Sequence, residues 1–246
     1  MKKKLLLLIT VFSLTIIMCF FLRSKVIFTT FDSRLEQTQY VQFDELYYGF
    51  SEEKTMAQYQ SDYIATHSLD QLIKKSDLIA KVHFKSRQQK ISVIETIVDV
   101  KEVYKGDKSQ TITIYEPGYV VHFYDFLATY SSTHFIKTDC DYIVFLQNAL
   151  PEHENYYNYV NTLYSLFPIK DEILIKQLEY HEGDDSPRIG MTEYNKYDQF
   201  IIKYQGIEDE EIKNSINQYY IQCKEYPNIA KQVYKKYLKQ NIKFKY

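Results

Sequence analysis

The feature that most constrains this chain is an apolar run close to its N-terminus. Lys2–Lys4 are followed by residues 5–22, which carry no charge and are interrupted only by hydroxyl-bearing side chains, and Arg23 ends the run. A stretch of about 18 apolar or weakly polar residues is at the short end for a membrane-spanning helix and is long for a signal-peptide core. Lysines before such a run favour a cytoplasmic N-terminus. The sequence therefore predicts a single membrane-spanning segment over residues 1–25, with the rest of the chain outside.

The residues around the end of this run leave its cleavage open. Leu22–Ser24 matches poorly the pattern of small residues at which signal peptides are cut. Ile16–Met18, which precede Cys19, do not resemble a lipobox, where a small residue precedes the cysteine. These observations favour an uncleaved anchor over a secreted form with a cleaved signal. A lipoprotein and a buried core helix are the remaining alternatives.

Composition excludes two broad classes of protein. Of the 246 residues, 45% are hydrophobic and 25% are charged, which is typical of a globular protein and not of a disordered one. The formal net charge of -2 gives no overall basic excess for binding nucleic acid. The chain has 25 Tyr and 15 Phe but no Trp. A Tyr-rich surface suits glycans or peptides, whereas an AT-rich genome is the simpler explanation of this composition.

The sequence has no recognisable catalytic, metal or cofactor motif. It lacks CxxC, HExxH, GxSxG and the glycine-rich phosphate loops, so neither a metal nor a cofactor is predicted. Cys140 and Cys223 can pair in an oxidising compartment, although two separate thiols are the simpler interpretation. The acidic cluster at 179–185 lacks the ligand spacing of a calcium loop, and we interpret it as a solvated turn.

The middle of the chain alternates between apolar and polar residues with the period of a β-strand. Alternation and β-branched residues predict four main strands, and weaker apolar stretches predict two more. The main strands are predicted at Leu78–Phe84, Ser92–Tyr104, Thr111–Tyr115 and Tyr142–Leu146, and the weaker ones within Tyr157–Ile169 and at Glu172–Ile175. The second main strand is apolar on both faces, which predicts a central strand or a bulge.

Helices are predicted on both sides of these strands. Ser68 and Gln71 form a capping box, which predicts a short helix over Leu69–Lys75. Near the C-terminus, the acidic first turn at Glu208–Glu211 opens a longer helix. Pro227 is predicted to open a second one.

The end of the chain is basic. It contains six lysines and no acidic residue after Ala230, and the lysines are Lys231, Lys235, Lys236, Lys239, Lys243 and Lys245. A basic amphipathic helix can rest on anionic lipid or wall polymer. The interpretation we favour is a helix whose apolar stripe packs on the body of the domain.

Four segments in the middle of the chain follow a recurring order. They are Ser76–Val82, Ile97–Gly106, Ile112–Gly118 and Asp141–Leu146. In this order they resemble a group of poorly characterised exported or membrane-anchored proteins of Gram-positive bacteria. Those proteins look like the small OB-class β-barrels of tissue inhibitors of metalloproteinases and netrin-like modules. The resemblance covers about residues 68–150 and implies a fold, because its motifs are strand and turn residues without reactive groups.

The chain departs from the family pattern at three points. Ala80-Lys81 stands where a small residue, Gly and Lys are common, and Asp139-Cys140 stands where Gly-Glu is common. The metalloproteinase inhibitors act through an N-terminal cysteine, and no cysteine stands at the expected start of a mature chain here. Metalloproteinase inhibition is therefore not implied.

Together these observations predict an α+β fold with four regions. They are a signal-anchor or transmembrane helix over residues 1–25, a membrane-proximal segment over 26–66, an OB-like β-barrel over 67–180 and a mainly helical region over 181–246. The predicted partners are the membrane, through the N-terminal helix, and a protein, peptide or cell-wall component, without nucleic acid.

The predicted function is that of a non-enzymatic extracytoplasmic binding or interaction module. One alternative is an inhibitor or immunity-type factor that blocks a peptidase or toxin at the membrane. Another is an enzyme whose site is assembled from residues distant in sequence, such as His122, His134 and Asp139.

The candidate binding residues lie in a predicted loop of unusual length, Tyr119–Lys137. They are the aromatic residues Phe123, Tyr124, Phe126 and Tyr130. Loops between the strands of OB-like barrels often shape the binding face, and exposed aromatic rings there would favour a partner. The alternative is that these rings cap one end of the barrel.

Overall fold

The computed structural model describes residues 12–19, 35, 37–43, 68–90, 93–107, 109–121, 126–129, 134–149, 154–181, 187–206 and 210–246. The chain divides into two compact units, Met1–Gln37 and Thr38–Tyr246. In the first unit, residues 12–19 are helical. No helix among the described residues has the length and apolar character needed to cross a membrane. The rest of the predicted segment 1–25, and most of the predicted membrane-proximal segment, lie outside the described residues.

The second unit mixes helices with a larger number of strands. Its helices are α1 (Leu69–Lys75), α2 (Met191–Lys196) and α3 (Glu210–Val233), which a π-helical turn (Tyr234–Leu238) follows. Its strands are β1 (Tyr40–Phe43), β2 (Leu78–Lys90), β3 (Val93–Lys105), β4 (Thr111–Glu116), β5 (Gly118–Val121), β6 (Phe126–Thr129), β7 (Asp141–Asn148), β8 (Tyr156–Tyr159), β9 (Leu166–Pro168), β10 (Glu172–His181), β11 (Arg188–Gly190), β12 (Gln199–Gln205) and β13 (Lys243–Lys245). The predicted α+β class is confirmed. The described part of the region 181–246 contains β11, β12 and β13 as well as α2 and α3.

Helix α1 begins and ends where the sequence predicts. The Ser68 side chain accepts a hydrogen bond of 3.3 Å from the Gln71 backbone N–H, as expected at an N-cap. At the other end, the Ser76 backbone N–H donates to the Leu72 carbonyl. Leu69 and Leu72 are buried, so the helix packs one face on the core.

Five strands are joined by pairings that form a closed ring. β2 pairs with β3 and β3 with β4, both antiparallel, β4 pairs with β8 in parallel, and β7 pairs antiparallel with both β8 and β2. β9 adds to the other edge of β7. The strands share one buried apolar cluster, which includes Leu78, Val82, Val98, Ile112, Ile114, Tyr142, Val144, Leu146 and Tyr159.

Strand β3 is half-buried, and the β2–β3 pair is irregular. Ile94, Thr96 and Val98 are fully buried and share one face, whereas the residues between them are partly exposed. The β2–β3 register shifts at three places, between Ile79 and Ala80, between Lys81 and Val82, and between Phe84 and Ser86. Such irregularities bend and twist a long strand pair.

The backbone conformation of the turn after β3 requires a glycine at position 106. Its φ is +90°, and an added Cβ would lie 2.4 Å from the backbone oxygen of Asp77. We expect Gly106→Ala to lower the free energy of unfolding by about 2 kcal/mol, because it combines backbone strain with a clash against main chain. Gly190→Ala is the control, since its φ is -61° and an added Cβ meets nothing within 4 Å. Denaturant unfolding of both variants tests this, and equal effects would contradict it.

A second core lies between a parallel sheet and the C-terminal helix. β10 is the central strand, with β12 and β13 parallel to it on opposite edges. Helix α3 connects β12 to β13, as a crossover between parallel strands requires. Its buried side chains join those of β10 and β12 in one apolar cluster, which includes Ile173, Ile175, Ile201, Cys223, Tyr226, Ile229, Ala230 and Val233.

Pro227 does not open a second helix, and the sequence-based prediction is wrong at this point. It lies inside the single helix α3. A proline removes one backbone hydrogen bond from a helix interior, which costs stability in an isolated helix. Here the apolar stripe is buried on both sides of it, at Cys223 and Tyr226 before it and at Ile229 and Ala230 after it. Packing of this stripe against the sheet therefore compensates for the backbone hydrogen bond that the proline removes.

The predicted long loop contains two strands instead. β5 and β6 pair antiparallel and lie in a four-stranded sheet of order β11-β1-β6-β5. β1 pairs in parallel with β6 and antiparallel with β11. The prediction of one long loop over Tyr119–Lys137 is therefore wrong where β5 and β6 lie. The sequence missed these strands because each has only four residues.

Candidate functional site

Of the four predicted binding residues, Phe126 lies on the four-stranded sheet. The other three, Phe123, Tyr124 and Tyr130, lie outside the described residues. Phe126 begins β6, and its half-buried ring stacks on that of Tyr40, with centroids 5.4 Å apart and planes at 13°. The two residues face each other in the parallel β1–β6 pair, which places both rings on one face of the sheet.

Arg188, on β11, extends this stack to a third strand. Its guanidinium carbon lies 5.2 Å from the centroid of the Tyr40 ring, at cation–π distance. Its Nε donates a 3.1 Å hydrogen bond to Oε1 of Gln42, two residues along β1. Arg188, Tyr40 and Phe126 therefore form a row across three strands, in which a charged planar group covers one side of an aromatic pair.

Strand β5 places two more side chains on the same face. Val121 pairs with Phe126, and Tyr119 pairs with Ala128. Paired residues in neighbouring strands point to the same side of a sheet. We call the half-buried side chains on this side, together with the exposed Arg188, the aromatic face. Its members are Tyr40, Gln42, Tyr119, Val121, Phe126 and Arg188.

The opposite side of β1 fixes this surface to the core. Val41 and Phe43 alternate with Tyr40 and Gln42, and their side chains are essentially fully buried. The Phe43 ring lies 5.0 Å from Phe200 of β12. The two-residue alternation of a strand thus gives β1 one buried face and one half-buried face.

We expect Phe126→Ser to lower the free energy of unfolding by only about 1 kcal/mol. The ring is half-buried, so the substitution loses one aromatic pair and part of an apolar contact. Thermal unfolding of the variant beside the wild-type chain tests this. A loss several times larger would assign the ring a structural role and remove it from the candidate site.

His134, a member of the alternative catalytic set, is a core residue. Its Nδ1 lies 2.8 Å from the carbonyl oxygen of Phe135, and its ring stacks on Tyr194 with centroids 4.0 Å apart. Asp139 is exposed and lies beside Lys170, and His122 lies outside the described residues. His134 and Asp139 therefore contact different partners, and the geometry shows no acid–base pair between them.

Burial, together with the positive charge of Lys137, sets the pKa of His134 well below its usual value of 6.5. The unfolded chain takes up a proton as the pH falls through about 6.5, whereas the folded chain does not. Stability is therefore expected to fall with decreasing pH below 6.5, by up to about 1.4 kcal/mol per pH unit from this group. His134→Gln should remove this component. Denaturant unfolding between pH 7 and pH 5 measures it, and equal slopes for both proteins would contradict it.

Asp198 is a buried carboxylate that joins three segments. Its side chain is 3% exposed, and Oδ1 lies 2.8 Å from Nζ of Lys170 and 3.3 Å from Nζ of Lys137. Its Oδ2 accepts a 3.1 Å hydrogen bond from the Leu174 backbone N–H. Burial alone would lower the pKa of Lys170. The hydrogen bond to Asp198 and the negative charge of that carboxylate have the larger combined effect, so the pKa is raised.

Glu116, at the end of β4, is a second buried carboxylate. It is fully buried, and Oε1 accepts hydrogen bonds from the Ile136 backbone N–H at 2.8 Å and from the Tyr159 hydroxyl at 3.1 Å. Its Oε2 accepts one from the Thr96 hydroxyl. Burial, and then the nearby charge of Glu116, raise the pKa of Tyr159 well above its ordinary value. The oxygens of both carboxylates accept hydrogen bonds or form ion pairs within the protein, so we assign Asp198 and Glu116 a structural role.

Among the described residues, no group of three or more His, Cys, Asp or Glu side chains is placed to hold a metal ion. Part of the acidic cluster at 179–185 lies outside them. Cys140 is half-buried and Cys223 is buried, and no disulfide joins these two described cysteines. Burial raises the pKa of the Cys140 thiol to about 11, which makes it a poor nucleophile.

The sequence indicated one member of the aromatic face, Phe126, but neither Tyr40 nor Arg188. Tyr40 lies in a four-residue strand within a segment of weak periodicity, and Arg188 lies in a strand of three. The one sequence pattern that indicates strand β1 is the alternation in Tyr40–Phe43, in which every second residue is apolar and buried. It is too short to be distinguished from a loop.

Comparison of the chain with the known protein families, with curated proteins and with solved structures found no match in any of the three.

Proposed function

We propose that the protein is a non-enzymatic binding module, held outside a membrane by its N-terminal segment, whose contact surface is the aromatic face. The observation that carries the proposal is the row of Arg188, Tyr40 and Phe126 on one side of the four-stranded sheet. The stacked rings present their apolar edges beside a charged guanidinium. Such a surface suits a glycan or a peptide of the cell wall or cell surface.

We further propose that the ring of strands β2, β3, β4, β8 and β7 is an OB-type barrel. In support, the parallel β4–β8 pair and the β2–β7 pair both join strands that are distant in sequence, as closure of a five-stranded Greek-key sheet requires. The resemblance to exported Gram-positive proteins with such barrels is part of the same proposal. Folds of this class are used mainly for binding, which is consistent with the function proposed here.

Site-specific photocrosslinking in intact cells tests the contact surface. A benzophenone amino acid in place of Phe126 should give an adduct, either to a protein or to wall glycan. The same amino acid in place of Tyr115, whose half-buried ring lies 5.9 Å from that of Tyr156, is the matched control. Arg188→Ala should reduce the yield from position 126 at least threefold. Equal yields from both positions, or no adduct from position 126, would overturn the proposal.

Protease treatment of intact cells tests the proposed location. The chain carries a tag after Tyr246, and the mass of the tagged chain is measured before treatment. A full-length chain whose tag is removed by protease supports an uncleaved anchor. A tag removed from a chain shorter by about two dozen residues supports the secreted form. A protected tag would place the domain inside the cell and overturn the proposed location.

A further inference from the structure

A row of lysines runs along α3 and the π-helical turn that follows it, on the side that faces away from the core. Lys224, Lys231 and Lys235 are separated by seven and four residues, which places them on one side of a helix. All three side chains are exposed. Lys231 also lies over the Phe244 ring at 5.7 Å, which brings the row next to β13. We call these three residues the lysine row.

The surroundings of the row are basic and partly apolar. No acidic residue follows Glu225 in the sequence, and Lys236 and Lys239 are exposed as well. Lys243 and Lys245 alternate with Phe244, whose ring contacts the row, so they point to the other face of the sheet, where Lys243 pairs with Glu172 of β10. Ile221, one turn before Lys224, is 59% exposed, and the C-terminal Tyr246 is 76% exposed. Exposed apolar side chains beside lysines are typical of a surface that meets lipid headgroups.

The same helix is not free to insert into a bilayer. Its apolar stripe, which includes Tyr226, Ile229 and Val233, is buried in the core between α3 and the parallel sheet. An inserting amphipathic helix needs that stripe for the acyl chains. Only adsorption through charge, with shallow contact from the exposed Ile221 and Tyr246, is consistent with the fold.

We infer that the lysine row is an adsorption site for a bilayer surface that contains anionic phospholipid. Each lysine near such a surface increases partitioning by about fivefold, and the attraction falls off within about 10 Å at 0.1 M salt. Nucleic acid fits less well, because the basic character is local and the chain as a whole has a net charge of -2. The row is separate from the aromatic face, so this inference goes beyond the proposed function.

Lysine footprinting on the full-length chain tests the inference. The chain is mixed with lipid nanodiscs made either of phosphatidylcholine or of phosphatidylcholine with about one third phosphatidylglycerol. An amine-reactive reagent then labels exposed lysines, and mass spectrometry gives the labelling rate of each. On anionic nanodiscs we expect labelling of the lysine row to slow at least threefold relative to neutral ones, and 0.5 M salt should abolish the difference. Lys74 and Lys101, exposed on α1 and β3, are internal controls whose rates should not change.

A charge variant separates the row from a general effect of the lipid. K231Q/K235Q should remove the protection of Lys224, whereas K74Q/K101Q, with the same change in net charge, should retain it. Thermal unfolding verifies that both variants are folded. Equal labelling on neutral and anionic nanodiscs, or equal slowing at the control lysines, would overturn the inference. So would protection by a soluble polyglycerol phosphate without protection by anionic nanodiscs, since the partner would then be a polymer.

Discussion

Asp198→Ala is expected to lower the free energy of unfolding by about 4 kcal/mol, which is a large fraction of the total stability of a typical domain. The carboxylate is 3% exposed and interacts with both Lys137 and Lys170. Its removal leaves Lys137 without its ion-pair partner, Lys170 with only the exposed Asp139, and the Leu174 N–H without its acceptor. An unpaired buried charge costs more than its lost partner contributes, because the charge cannot recover its hydration.

Asp139→Ala is the matched control for this variant. Asp139 also lies beside Lys170, at 3.7 Å, but its side chain is 61% exposed. An exposed ion pair contributes little, and we expect a change below about 0.5 kcal/mol. Asp198→Asn should lie between the two, since the amide oxygen can still accept from the Leu174 N–H. Urea unfolding at pH 7 measures all three variants, and equal effects for the two alanine variants would contradict the assignment.

Glu116→Ala is expected to be almost as damaging, with a loss of about 4 kcal/mol. It removes the acceptor for three buried donors, namely the Ile136 N–H and the hydroxyls of Tyr159 and Thr96. Each unsatisfied donor costs about 1 kcal/mol or more, and the lost side chain leaves a cavity between the strands. The loss should be independent of salt, because the site is closed to solvent.

Glu116→Gln separates the hydrogen bonds from the charge. The amide keeps one acceptor oxygen, and its NH₂ group can donate to the Thr96 hydroxyl, so we expect a loss of about 1–2 kcal/mol. Glu102→Ala, on the exposed part of the neighbouring strand β3, should change stability by less than about 0.5 kcal/mol. Denaturant unfolding measures all of these variants. A Gln variant as unstable as the Ala variant would show that the charge itself is required.

Local sequence patterns predicted those helices and strands that can be recognised from their own residues alone. The capping box at Ser68 and Gln71 predicted α1 to the residue, and alternation predicted β2, β3, β4 and β7. Pro227 marks the limit of this reasoning. A proline is a local signal against a continuous helix, but the helix is stabilised by packing against strands far away in sequence, which no local pattern contains.

The candidate site and the buried carboxylates depend on pairings between distant segments. Phe126 stands out as an aromatic residue, but its partner Tyr40 lies 86 residues earlier and Arg188 lies 62 residues later. Glu116 and Asp198 look like ordinary surface acids in the sequence. Only the fold supplies the donors that surround them, so their burial could not be predicted.

The central position of β1 has a consequence for how the protein is made. β1 pairs with β6 and β11, and the latter ends at Gly190, so both partners are synthesised long after it. A chain that emerges from the ribosome or an export channel N-terminus first must therefore keep Val41 and Phe43 unpaired until most of the domain has followed. Folding of the sheet is then a late event dominated by contacts between distant segments, which makes it slow. The nascent chain exposes apolar strand surface in the meantime, when it is most open to aggregation and to chaperones.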